Sequence, residues 1–104
     1  MRSAAELHAA GLEALVGRRF PAARRLLEQA REATTSPDLI ARIDASRAYM
    51  SVEQGNLEGA LDMCDRALVR DGVTFETSGV LHSQRALILS RMGDADAALE
   101  CRSS

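Results

Sequence analysis

"GRRFPAARRLLEQA", residues 17–30, and "GNLEGALDMCDRAL", residues 55–68, are one pattern written twice. Each opens on a glycine, continues through polar residues, and then sets small or apolar residues three and four places apart. Phe20, Ala23, Leu27 and Ala30 return as Leu57, Ala60, Cys64 and Ala67, each 37 residues later. Steps of three, four and three follow one face of a helix, whereas a strand would alternate every second residue. A third copy begins at "GDADAAL", where Gly93 and Ala98 take the places that Gly55 and Ala60 hold one repeat earlier.

The segment before each of these helices is also periodic and also runs into a glycine: "AAELHAAGLEALVG", "DLIARIDASRAYMSVEQG" and "SGVLHSQRALILSRMG". The unit is therefore helix, glycine turn, helix. It predicts an all-α fold of tandem antiparallel helical hairpins, an α-solenoid of about two and a half repeats. Six helices are expected, near 4–16, 20–33, 38–54, 57–70, 76–92 and 95–102. They divide one domain, 1–104, into units at about 4–37, 38–73 and 74–104, the last of them short.

Boundary chemistry supports this division. Ser3 and Glu6 have the spacing of a capping box. In "SPDL", Ser36 can cap, Pro37 suits the first helical position and Asp38 faces the positive end of the helix dipole. Gly55, Gly72 and Gly93 stand where a left-handed stop is expected. Small residues let paired helices approach: Ala10, Gly11 and Ala14 against Ala23 and Ala30, and Ala48 against Ala60 and Ala67. Leu27, Ile43, Leu61, Leu68 and Leu87 are expected to fill the space between units. Leu81, Ile88, Leu89 and Met92, at the short end, are expected to lack full cover.

The chain has 104 residues, 46% hydrophobic and 27% charged, with 3% aromatic and no Trp, so its core must be built from Leu, Ala, Ile, Val and Met. All 13 basic residues are Arg, as a GC-rich coding sequence would produce, and the net charge of −2 creates no global field for nucleic acid or an anionic membrane. Eight Arg face six acids in residues 1–52, and five Arg face nine acids in 53–104, so the first third holds the only basic cluster. That cluster, Arg18, Arg19, Arg24, Arg25 and Arg31, has Glu28 and Glu32 at helical spacing and no interleaved aromatics to stack bases. It reads as a solvated face laced with ion pairs.

Glu6, His8 and Glu13 interrupt any signal-peptide core, and no apolar run approaches a membrane span, so a cytoplasmic location is expected. Cys64 and Cys101 have no CxxC or His partner and read as small hydrophobes. His8 and His82 lack the second titratable group that acid–base chemistry needs and the further ligands that zinc needs. No phosphate-binding or zinc-protease motif is present. The expectation is no catalytic residue, no metal, no cofactor and no enzyme activity.

The repeating pattern resembles that of tetratricopeptide repeats. Leu7, Gly11, Phe20, Ala23, Leu27 and Ala30 occupy the family's packing positions in the first unit. Ala48, Leu57, Ala60, Cys64 and Ala67 occupy them in the second, and Ala86, Ala95 and Ala98 in the third. The units are three or four residues longer than the family's, a closing proline occurs only as Pro37, and Asp44 and His82 stand where a bulky apolar residue is usual. More narrowly, "LHAAGLEAL", "ARIDASRAY" and "VLHSQRALILSRMGDADAAL" are similar to the repeat regions of actinobacterial proteins that carry a caspase-like CHAT peptidase domain.

The resemblance implies a concave groove, lined by the first helix of each unit, that binds an extended peptide or a partner helix. Carried over by pattern, its residues are His8, Leu12 and Leu15, then Arg42, Tyr49, Val52 and Glu53, then Ser83, Leu87 and Arg91. The Lys and Asn clamp of family members that hold acidic tails is absent, since the matching places are His8, Leu12, Ala45, Tyr49, Ser83 and Leu87. The expected function is a protein-interaction scaffold. The alternatives are a regulatory repeat module of a larger protein carrying a caspase-like protease or transcription-factor domain, and a homodimerisation module acting through residues 81–101.

Overall fold

A computed structural model describes the backbone of residues 2–103 and the side chains of residues 2–94. It contains five helices: α1 (Ala4–Val16), α2 (Phe20–Glu32), α3 (Pro37–Glu53), α4 (Leu57–Leu68) and α5 (Phe75–Ser103). α1 pairs with α2 and α3 with α4, and each pair is a hairpin. α2 then packs on α3, α4 packs on α5, α1 touches α3, and α3 touches α5. α1, α3 and α5 thus form an inner layer. α2 and α4 lie behind it without touching each other.

Local chemistry sets the helix starts. The Ser3 hydroxyl accepts from the Glu6 amide at 3.2 Å, Ser36 from Leu39 at 3.3 Å, and the Asn56 side chain from Gly59 at 3.0 Å. Each bond satisfies an amide that the first helical turn leaves free. Between α4 and α5, Gly72 has φ +84°, and a Cβ there would meet Pro37 at 3.1 Å, so only glycine fits. Asp38 locks this loop by accepting from both the amide and the hydroxyl of Thr74, each at 2.9 Å. The Thr74 amide bond, more than the hydroxyl bonds around it, holds the Asp38 carboxyl below its ordinary pKa.

The repeat pattern is the core. Ala23, Leu27, Ala30, Ala48, Ala60, Cys64 and Ala67 are all fully buried, with Gly11 buried and Leu7, Phe20 and Leu57 packed at the edges. Gly11 is required by contact: a Cβ there would stand 2.8 Å from Leu27 Cδ2, inside the α1–α2 seam. Burial, chiefly, pushes the Cys64 thiol above its ordinary pKa. Its reactivity is correspondingly low. Cys101 lies outside the described side chains.

Several expectations are corrected. α5 runs unbroken through Gly93, so the two helices expected at 76–92 and 95–102 are one helix. Ala86, expected to pack within the third unit, is exposed among the described residues, and Ala98 lies outside the described side chains. Leu81 and Ile88 are fully covered by α3 and α4, while Leu87, expected between units, is half exposed. Of the left-handed stops expected, Gly55 and Gly72 have positive φ while Gly93 is helical, and in the first turn Arg18 (φ +59°) is left-handed. Asp44 stands where the resemblance expects a bulky apolar residue, and it is buried as such a residue would be. Buried on α3, it draws Arg31 of α2 (3.1 Å), Arg47 (3.2 Å) and Arg70 (3.9 Å) together across two hairpins. Arg31 therefore pairs with the next unit and not with Glu28.

Candidate functional site: the concave face

The inner layer leaves a concave surface crossing α1, α3 and α5. Its larger cavity, about 350 Å³, is bounded by His8 of α1, Arg42 and Ser46 of α3, and Glu76, Val80 and Gln84 of α5. A smaller apolar one lies beside it between Tyr49 and Val52 of α3 and Leu87 and Ile88 of α5, and Gln84 borders both. The face thus changes from polar to apolar along α3. A ligand lying along it would need a charged or amide-rich part followed by an apolar side chain.

His8 bridges the layer. Its Nε2 stands 2.8 Å from Ser46 Oγ, and that hydroxyl in turn donates to the Arg42 carbonyl at 3.3 Å. In the neutral imidazole the tautomer sets which of the two groups donates across this contact. Burial first, and the Arg42 guanidinium second, lower the His8 pKa, which favours this neutral form. On the far side Gln84 Oε1 accepts from the Cys64 thiol at 3.8 Å, fixing the amide that separates the two cavities.

Of the residues expected in the groove, His8 and Arg42 meet in the larger cavity, and Tyr49 and Leu87 in the smaller. Tyr49, 42% exposed, is the exposed aromatic at the centre of α3. Leu12, Ser83 and Arg91 are exposed but border neither cavity. Leu15 is a correction: only 3% exposed, it packs with Ala14, Ala23 and Met50 in the core, one helical step round from the exposed Leu12. Val52 is likewise a core residue whose edge closes the small cavity. Glu53 is drawn to the rim, where it pairs with Arg18 at 3.2 Å.

Ser46, Glu76, Val80 and Gln84 were not legible as groove residues. His8, Ser46 and Gln84 hold the same place in successive repeats, a register that was available in the sequence but carries no apolar signal. Glu76 reaches the cavity only because the Asp38–Thr74 bonds hold the start of α5 against α3. Among the described residues no group of three or more His, Cys, Asp or Glu converges as a metal site would require, and no helix is long and apolar enough to cross a membrane. No family model matches the chain, and neither a curated protein nor a solved structure matches it.

Proposed function

We propose that this chain is a protein-interaction scaffold that takes an extended peptide or a partner helix across the concave face and binds it without chemistry. The observation that carries this reading is the exposed Tyr49 beside Leu87, at the point where a polar cavity gives way to an apolar one. An aromatic ring held on a rigid helix is a low-entropy anchor of the kind that dominates recognition energy. The inner-layer, outer-layer arrangement of hairpins also accords with the resemblance to tetratricopeptide repeats, whose groove is used in this way.

Peptides selected from a displayed random library against the immobilised chain, then titrated by fluorescence anisotropy, test the reading. Tyr49→Ala and Leu87→Glu are each expected to weaken binding at least about tenfold, the scale of a lost anchor. Arg24→Glu, on the exposed side of α2, is expected to leave affinity unchanged. Selected peptides that bind all three variants as tightly as the parent would remove the concave face as the site.

A further inference from the structure

Two opposite charges wall the larger cavity of the concave face without meeting. Arg42 stands on α3 and Glu76 on the first turn of α5, both exposed and both lining the same space of about 350 Å³. Elsewhere, carboxylates and guanidiniums brought together by helix packing do pair: Asp44 holds Arg31 at 3.1 Å and Asp65 holds Arg85 at 2.7 Å. Among the described residues neither Arg42 nor Glu76 takes part in an ion pair.

The other ionisable groups on the wall do not fill that role. Asp38 is already committed, one of its oxygens accepting from both the amide and the hydroxyl of Thr74. His8 is held toward its neutral form, chiefly by burial and then by Arg42, so the positive charge of the wall is that of Arg42 alone. A guanidinium with free N–H groups presents a planar fork that fits a carboxylate. Glu76 opposite presents acceptors only, so it fits an ammonium or guanidinium and repels a polyanion.

The helices also fix an order. Glu76 holds the place in its repeat that Asp38 holds one repeat earlier, so it lies level with the start of α3, four residues before Arg42. Tyr49 follows Arg42 by seven residues, two turns of helix, and so lies on the same side of α3. At a rise of about 1.5 Å per residue, the acidic wall precedes Arg42 by about 6 Å and the apolar cavity beside Tyr49 follows it by about 10 Å.

We infer, resting on the scaffold reading above, that the bound peptide is bipolar: it sets a carboxylate against Arg42 and a basic side chain against Glu76, with an apolar side chain beside Tyr49 and Leu87. Two fixed charges of opposite sign select the order of groups in the ligand, since a reversed or uniformly charged segment meets like charge on one wall.

Parallel selections from one displayed random-peptide library test this, against the immobilised full chain, Arg42→Glu, Glu76→Arg and the double variant. The parent is expected to enrich peptides carrying an acidic, a basic and an apolar residue. Arg42→Glu is expected to exchange the acid for a base, Glu76→Arg the base for an acid, and the double variant both. In fluorescence anisotropy each single reversal is expected to weaken the parent's peptides at least about tenfold, and reversing the matching charge in the peptide is expected to restore most of the loss. Both positions are exposed, and far-UV circular dichroism of each variant is expected to match the parent. Peptides that need Tyr49 but keep their affinity through both reversals overturn the bipolar ligand and leave the scaffold standing. Uniformly acidic or uniformly basic enriched peptides overturn it equally. Peptides indifferent to Tyr49→Ala, or a library that enriches nothing, remove the concave face as a peptide site and the bipolar ligand with it.

Discussion

α3 and α5 are the same helix one repeat apart, and they have opposite surroundings. Ala48 is sealed between α3 and α4, whereas its counterpart Ala86 faces outward. The difference lies in the chain just beyond each helix. After α3 the chain turns at Gly55 (φ +83°), Asn56 caps α4, and Leu57 returns to the core. After Met92 the sequence offers a glycine and an acidic capping residue in the same register, Gly93 and Asp94, and the helix still continues.

Glycine is therefore not what closes these hairpins. The first turn closes with Arg18, a non-glycine residue, in the left-handed region that Gly55 occupies in the second, despite a steric cost of roughly 1–2 kcal/mol. Burial offsets that cost: Phe20, Ala23 and Leu27 come after the turn and pack against α1. At the third turn the corresponding residues are Ala95, Ala98 and Arg102 in place of Leu57, Ala60 and Cys64. At about 0.8 kcal/mol per buried methylene, exchanging Leu for Ala forfeits roughly 2 kcal/mol. What remains does not repay breaking a helix, and Gly93 stays helical.

Enlarging the two equivalent alanines challenges the contrast most directly. Ala48→Leu is expected to lose roughly 2–3 kcal/mol in urea denaturation, because the α3–α4 seam has no room for three more carbons. Ala86→Leu is expected to change stability by less than about 0.5 kcal/mol in dilute solution. Equal losses would mean that the face of α5 is covered after all.

Glycines probe the same distinction at a smaller scale. Gly11→Ala drives a Cβ to 2.8 Å from the fully buried Leu27 and is expected to destabilise by about 1–2 kcal/mol. Gly79→Ala meets nothing within 4 Å and is expected to stabilise by up to about 1 kcal/mol through helix propensity alone. A thermal melt of each variant, read against the parent, gives the two signs.

The smallest expected effect concerns the contact joining α1 to α3. His8 titrates below its ordinary value of 6.5 in the folded chain, so both folded and unfolded forms are neutral well above that pH. On acidification the unfolded chain binds this proton first, and stability falls, by at most about 1.4 kcal/mol per pH unit, until the folded imidazole also protonates. Denaturation midpoints between about pH 7 and 5.5 are expected to fall more steeply for the parent than for His8→Gln. Parallel slopes would show that Arg42 and burial do not penalise the charged ring.

Local periodicity in the sequence was enough to establish the helical class, the hairpin unit and most of the core. Steps of three and four admit one way of placing Ala23, Leu27 and Ala30 together or Ala60, Cys64 and Ala67 together. The groove positions of His8, Arg42, Tyr49 and Leu87 came from the resemblance to tetratricopeptide repeats and not from periodicity. Long-range packing was needed to settle which flank of α1 faces outward, so that Leu12 is exposed and Leu15 buried, since a helix packed on two neighbours buries more than one stripe. Packing also brought Arg31, Arg47 and Arg70 to Asp44, a convergence across two hairpins that no spacing announces. And α5 continues through Gly93, because a turn forms when the residues beyond it have a face to bury, a sum over contacts that the turn residue does not contain.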